Sequence, residues 1–193
     1  MTLTEVLVAS VLLVILTVGL SSSFVHNIRD AKLMTYRTQT VTTALGVLER
    51  VRAIGWADLV TAHGTATSST PTDLRVYIVD PTYTPLPADT DVPFGHRPIK
   101  LRINVKDGVE ISSAWSQVQL PINTDTTSTI PMELWLSLTK NESLLTMPKR
   151  QYFEAIIVYR WKAPGISTTW RYGNVRLVIP NTSALLRQKA PAT

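Results

Sequence analysis

Residues 1–30, MTLTEVLVASVLLVILTVGLSSSFVHNIRD, decide how the rest of the chain is read. After Glu5 no formally charged residue occurs until Arg29. An apolar helix needs roughly 20 residues to cross a hydrocarbon core, and this run approaches that length. It fits a secretory signal poorly, because such a signal opens with Lys or Arg and the early charge here is the acidic Glu5. Ser21-Ser22-Ser23 could imitate a cleavage site, but the helical pattern continues beyond it. A plain membrane anchor would account for the apolar run and leave Glu5 unexplained. A carboxylate in an apolar helix costs about 2.5–3.5 kcal/mol at bilayer depth and less near the interface, so it calls for a partner. Few groups within one chain could serve. The free α-amine of a neighbouring chain is mostly protonated at neutral pH and would. Such a pair would set the axial register of one helix against the next, as a buried polar residue does in a coiled coil.

Met1-Thr2-Leu3-Thr4-Glu5-Val6-Leu7-Val8-Ala9 resembles the mature N-terminus of the type IV pilin and pseudopilin superfamily. In that family a prepilin peptidase removes a short basic leader, the new N-terminus is methylated, and a glutamate stands at mature position five. The resemblance implies that numbering starts after cleavage, that Met1 is the methylated residue, and that Glu5 with Met1 sets register on assembly. It also implies a filament-core helix carrying Leu3, Val6, Leu7, Val11, Val14 and Val18. Many major pilins have proline where this chain has Ser22, and no proline precedes Pro71 here. Gly19 and Ser22 are weak helix formers and are the expected points of helix loosening in an assembly. The alternative is a continuous helix whose small residues permit close packing.

Beyond residue 25 the apolar residues become one-sided. Leu33, Met34, Val41, Ala44, Leu45, Leu48, Val51 and Ile54 recur at three- and four-residue steps, with Arg29, Asp30, Arg37, Gln39, Glu49 and Arg50 between them. The helix is therefore expected to run to about residue 54 and stop at Gly55. Residues 61–73 read as a polar, turn-rich connector. Strands are expected at 74–79, 98–106, 114–122, 132–138, 152–161 and 168–179, with Ala163-Pro164-Gly165 as a hairpin turn and 80–93 and 123–129 as loops. Ile99, Leu101, Ile103 and Val105 alternate with Lys100, Arg102, Asn104 and Lys106, the pattern of a half-buried strand. The expected fold is α+β: a long N-terminal α-helix, apolar then amphipathic, packed on an antiparallel β-sheet. Its divisions are an anchor or core helix at 1–25, an amphipathic continuation at 26–55 and a β-rich domain at 56–193.

The remaining residues carry little chemistry. The chain has 193 residues, a formal charge of +5 and no cysteine, which excludes disulfides, zinc–thiolate sites and the cysteine pair of many pilins. His26, His63 and His96 stand at no metal-ligand spacing. Asp80, Asp89, Asp91 and Glu110 lack a calcium-loop pattern. No nucleophile elbow, P-loop or dinucleotide fingerprint occurs, so no enzyme activity, metal or cofactor is expected. The tripeptides at Asn141 and Asn181 match an N-glycosylation pattern that arises often by chance. The five tryptophans are expected mainly in the core. Trp161 and Trp170 beside Arg160, Lys162 and Arg171 form an alternative: an exposed basic-aromatic patch for weak DNA or surface-glycan binding.

The function this implies is a structural subunit polymerising through its N-terminal helix. Its partners would be copies of itself in a helical filament, the inner membrane before assembly, prepilin peptidase, and pilus or secretion assembly machinery. Its location would be inner membrane, then an extracellular or periplasmic filament. Two alternatives stand beside it: a low-copy minor pilin or type II secretion pseudopilin that primes or caps a filament, and a membrane-anchored binding protein that never polymerises.

Overall fold

The computed structural model describes residues 2–87, 91–122, 125–142 and 151–181, with the backbone alone at 125–128. Helix α1 runs unbroken from Leu3 to Ala53, and the chain divides into two compact units within it, between Thr38 and Gln39. In the first unit the apolar side chains from Leu3 to Ile28 are exposed. The helix passes through Gly19 and Ser21–Ser23 without interruption in the single chain.

In the second unit α1 turns one face inward. Thr40, Ala44, Val47, Leu48 and Val51 are buried, at positions i, i+4, i+7, i+8 and i+11 of a helix. Two expectations shift here. Leu45 is 48% exposed, because it lies about 100° round the helix from Ala44. Thr40 and Val47 occupy the inward positions that periodicity alone did not assign. Gly55 ends α1 with φ 95°, a left-handed conformation that costs glycine least. Helix α2, Trp56–Thr65, follows at once and buries Leu59 and His63 one turn apart. The connector expected from residue 61 is thus helical through Thr65.

The strands are β1 (Asp73–Val79), β2 (His96–Lys106), β3 (Val109–Glu110), β4 (Ser116–Ile122), β5 (Asp125–Glu142), β6 (Gln151–Ala163) and β7 (Ser167–Pro180). They form one sheet in the order β1-β2-β5-β6-β7, with β3 beside β2 and β4 beside β5. With the helix packed against this mostly antiparallel sheet, the architecture is α+β and pilin-like. The Thr-rich run expected as a loop is strand from Asp125 onward, as its β-branched residues favour. Asn123 and Asp89 lie outside the described residues.

The sheet departs from an antiparallel meander at one place. β5 is longer than any neighbour on its outer flank, so two strands share that flank. β4 takes the part from Asp125 to Leu134, antiparallel, and β2 takes Leu136–Leu138, parallel. Asn104 sits where they part, at a register shift in β2, and is fully buried. The alternating pattern placed it outward with Lys100 and Arg102, but it serves the backbone instead. Its Oδ1 accepts from Leu136 N–H at 3.1 Å, and its Nδ2 donates to the carbonyls of Ser112 and Ala114 at 3.0 and 2.7 Å. Its own carbonyl accepts from Ile111 N–H at 2.7 Å. Close by, Ser116 Oγ accepts from Arg102 N–H at 3.0 Å. Groups that the forked ladder would orphan are thereby satisfied.

On the covered face of β6, Phe153, Ala155, Ile157, Tyr159, Trp161 and Ala163 are all buried. Gly173 of β7 pairs with Tyr159, whose ring occupies the space a Cβ would take. The hairpin between β6 and β7 turns at Ala163–Gly165, where Gly165 has φ 70° and Ile166 N–H donates to Ala163 O at 3.0 Å.

Two substitutions test this packing. Asn104→Ala leaves a buried N–H and buried carbonyls unpaired and is expected to cost about 2–4 kcal/mol in urea unfolding of the chain in detergent. Gly173→Ala drives a methyl into the Tyr159 ring and is expected to cost about 1–3 kcal/mol, much of it recovered by Tyr159→Leu in the same background.

Candidate functional site

Two regions carry the residues singled out in the sequence. The first is the start of α1. Thr2, Leu3, Thr4 and Glu5 stand in the order of a capping box, and Glu5 Oε2 accepts from the Thr2 backbone N–H at 2.8 Å. Glu5 thus has a partner within its own chain, which reading the residues as isolated charges missed. The bond places a negative charge at the helix N-terminus, an arrangement worth about 0.3–1 kcal/mol at an exposed site. That is less than the about 2.5–3.5 kcal/mol penalty of a carboxylate at bilayer depth. The cap organises Glu5 and leaves it in need of a cation wherever water is excluded. Met1 lies outside the described residues.

Around Glu5 the surface is apolar. Leu3, Val6, Leu7, Val11, Val14 and Val18 are each more than half exposed, as are Leu12, Leu13, Ile15, Leu16 and Leu20. Complete burial of one such side chain is worth about 1.5–3 kcal/mol. Over so many residues the gain exceeds the about 5–15 kcal/mol stability of a whole domain, so this surface demands a non-aqueous or protein environment. The helix is long and apolar enough to cross a membrane, consistent with membrane association.

The second region is the sheet face opposite Phe153 and Tyr159. Strand alternation separates the proposed patch into two sets. Trp161 is 4% exposed and belongs to the core side, with Arg171 5.8 Å from its ring centre. That removes Trp161 from any exposed patch. Arg160 points to the other face, where its guanidinium lies 4.3 Å from the Trp115 ring centre and 4.8 Å from that of Trp170. Trp115 in turn meets Trp135 at 5.2 Å. Arg160 Nε also donates to Glu133 Oε2 at 2.6 Å. Burial opposes its charge, but hydrogen bonds with Glu133 and Tyr172 outweigh that and hold the guanidinium above its ordinary pKa. Lys162, grouped there from the sequence, and Trp115, which was not, complete the cluster; Lys162 Nζ is 4.5 Å from the Trp170 ring centre. The period-two pattern of β6 could have separated Trp161 from Arg160 and Lys162. Trp115 could not have been found that way, since it arrives from another strand end.

Several other ionisable groups have structural partners. His63 Nε2 lies 3.0 Å from Asp107 Oδ1, and its ring packs 5.3 Å from Phe153. Asp107 and Gly108, with φ of 49° and 83°, form the tight turn between β2 and β3. His96 sits between Arg50 Nη2 at 3.2 Å and Phe94 O at 3.0 Å. Asp80 accepts from Thr82 N–H and Oγ1–H and pairs with Arg97. Asp91 accepts from Tyr77 Oη at 2.8 Å and pairs with Arg75 at 3.2 Å. Among the described residues no group of three or more His, Asp or Glu side chains could hold a metal ion. Ser143, Thr182 and Ser183 of the two glycosylation tripeptides lie outside the described residues.

No protein-family model, curated protein or solved structure matches the chain.

The Tyr77 hydrogen bond, helped by Arg75, holds the Asp91 carboxyl below its ordinary value. A depressed carboxyl stabilises the fold above its unfolded-state pKa and loses that contribution as pH falls through the folded value. Tyr77→Phe is expected to raise the Asp91 midpoint in an NMR titration, and an unmoved midpoint would assign the shift to another group.

Proposed function

We propose that this chain is a structural subunit that polymerises through α1 into a type IV pilin-like filament, drawn from a membrane-held pool. The observation that carries the reading is a continuous helix whose first half exposes apolar side chains all round, with one carboxylate, Glu5, in its first turn. Lipid could cover that surface, and so could further copies of the helix. The hydrocarbon of a bilayer gives Glu5 no cation, whereas a neighbouring α-amine does. On this reading the capping bond holds the Glu5 carboxylate at the helix end, where an incoming subunit's N-terminus would meet it. The pair sets register, and apolar contact supplies most of the free energy. On this reading, loosening of the helix near Gly19 and Ser22 belongs to the assembled state, since α1 is continuous there in the single chain. Removal of a leader by prepilin peptidase and methylation of Met1 follow from the same reading.

Two substitutions at one position separate the roles of Glu5. Glu5→Gln keeps a side-chain oxygen for the Thr2 N–H, as glutamine does in a capping box, but removes the charge. Glu5→Leu removes both. Filament yield after shearing and pelleting, with electron microscopy, is expected to collapse for both variants while membrane insertion persists. Assembly intact in Glu5→Gln and lost in Glu5→Leu would reduce Glu5 to a helix cap. Normal function without sedimentable polymer in wild type would instead point to a non-polymerising anchored binding protein.

A further inference from the structure

The face carrying Arg160, Lys162 and Trp170 continues into a broad basin at the β6–β7 hairpin. It has a volume of about 810 Å³, and its lining includes Gln119, Thr129, Pro131, Lys162, Pro164 and Thr168. The chemistry of that lining is mixed in a specific way. Hydroxyls and a primary amide offer donors and acceptors in quantity, and two prolines offer rigid apolar patches. Thr129 Oγ1 donates to Gln119 Oε1 at 2.9 Å, a bond that uses the amide oxygen and not the NH2 donors.

Two arginines of this face are already paired. Arg160 is held by Glu133, and Arg176 Nε pairs with Glu154 Oε1 at 2.8 Å. Lys162 has no carboxylate partner among the described residues; its ammonium lies against the Trp170 indole at the basin's edge. A cation–π contact of this kind leaves donors for another ligand. The basin therefore combines one available cation, several hydroxyl and amide groups, and flat apolar surfaces.

We propose that this basin binds an acidic glycan, with Lys162 taking the carboxylate of a uronate unit. Gln119, Thr129 and Thr168 would pair with ring hydroxyls, and Pro131 and Pro164 would lie against the apolar face of a sugar. A nucleic acid fits less well. A phosphate backbone is held by several cations in register, and here Arg160 and Arg176 are already paired with Glu133 and Glu154. The inference does not depend on polymerisation, since every residue involved belongs to one chain's sheet.

The test titrates the full chain in detergent micelles with hyaluronan oligosaccharides, carboxyl-reduced hyaluronan oligosaccharides and single-stranded DNA of similar length. Tryptophan fluorescence and isothermal calorimetry provide the readouts. The expected result is saturable binding of the native oligosaccharide, weakened about tenfold by loss of the carboxylate, as removal of one charge-assisted hydrogen bond would give. Lys162→Gln should weaken the native ligand by the same factor and leave the carboxyl-reduced ligand unchanged. Thr168→Val, a nearly isosteric change, should weaken both ligands equally. Absence of saturation up to about 10 mM, a affinity weaker than any specific site warrants, would overturn the proposal. So would binding insensitive to Lys162→Gln in a variant whose thermal unfolding matches wild type, or tighter binding of DNA lost with the same substitution.

Discussion

An eighteen-residue strand cannot be paired along its whole flank by shorter neighbours, and the sheet is organised around that mismatch at β5. β4 and β2 divide the flank between them, running in opposite directions, and the point of division must satisfy backbone groups that neither ladder reaches. Asn104 does so with one side chain that both donates and accepts. The antiparallel pairing of β5 with β6 and of β6 with β7 lies on the other side, with one register shift between Trp161 and Ala163. That antiparallel half supplies the buried row from Phe153 to Ala163 and, on its reverse, the tryptophan and arginine cluster.

The helix was legible in the sequence because its physics is local. Uncharged residues between Glu5 and Arg29, then a helical period, then Gly55 specify one element with little reference to anything else. Strand positions were also readable, since alternation in 98–106 and 152–161 needs only a sheet with one covered face. What could not be read was pairing. Nothing local to Asn104 distinguishes a solvent-facing residue on a half-buried strand from a buried residue at a fork. Trp115 likewise reaches Arg160 only because β4 lies beside β5. Trp161 and Trp170 looked like neighbours through the hairpin, but strand parity sends Trp161 to the core and leaves Trp170 with Arg160 and Lys162. Glu5 was recognised as anomalous for its charge, yet its bond to the Thr2 N–H was a matter of spacing that a search for opposite charges passes over.

The two units pose opposite problems. In the sheet unit, polar groups enter the interior and find partners there: Asn104 is fully buried with its amide paired on both sides, and His63 finds Asp107, although Asn181 Oδ1 is buried without a partner. In the first unit, apolar groups remain outside in a single chain. A sequence that takes such care over one unit has not neglected the other. The difference reads as a division between surfaces completed within the chain and surfaces left for another environment.

The fork at Asn104 also constrains the order in which the sheet can assemble. β4–β5, β5–β6 and β6–β7 are each closed by short connections, so their loop entropies are small and they can form early. The parallel contact of β2 with β5 joins residues 103 and 136 around the whole of β4, a non-local closure that gains nothing until β5 is already in place. On this argument the β1–β2 pair docks late onto a meander that has nucleated without it. Asn104 is then a latch rather than a seed: its substitution would speed the sheet's opening more than it slowed its formation.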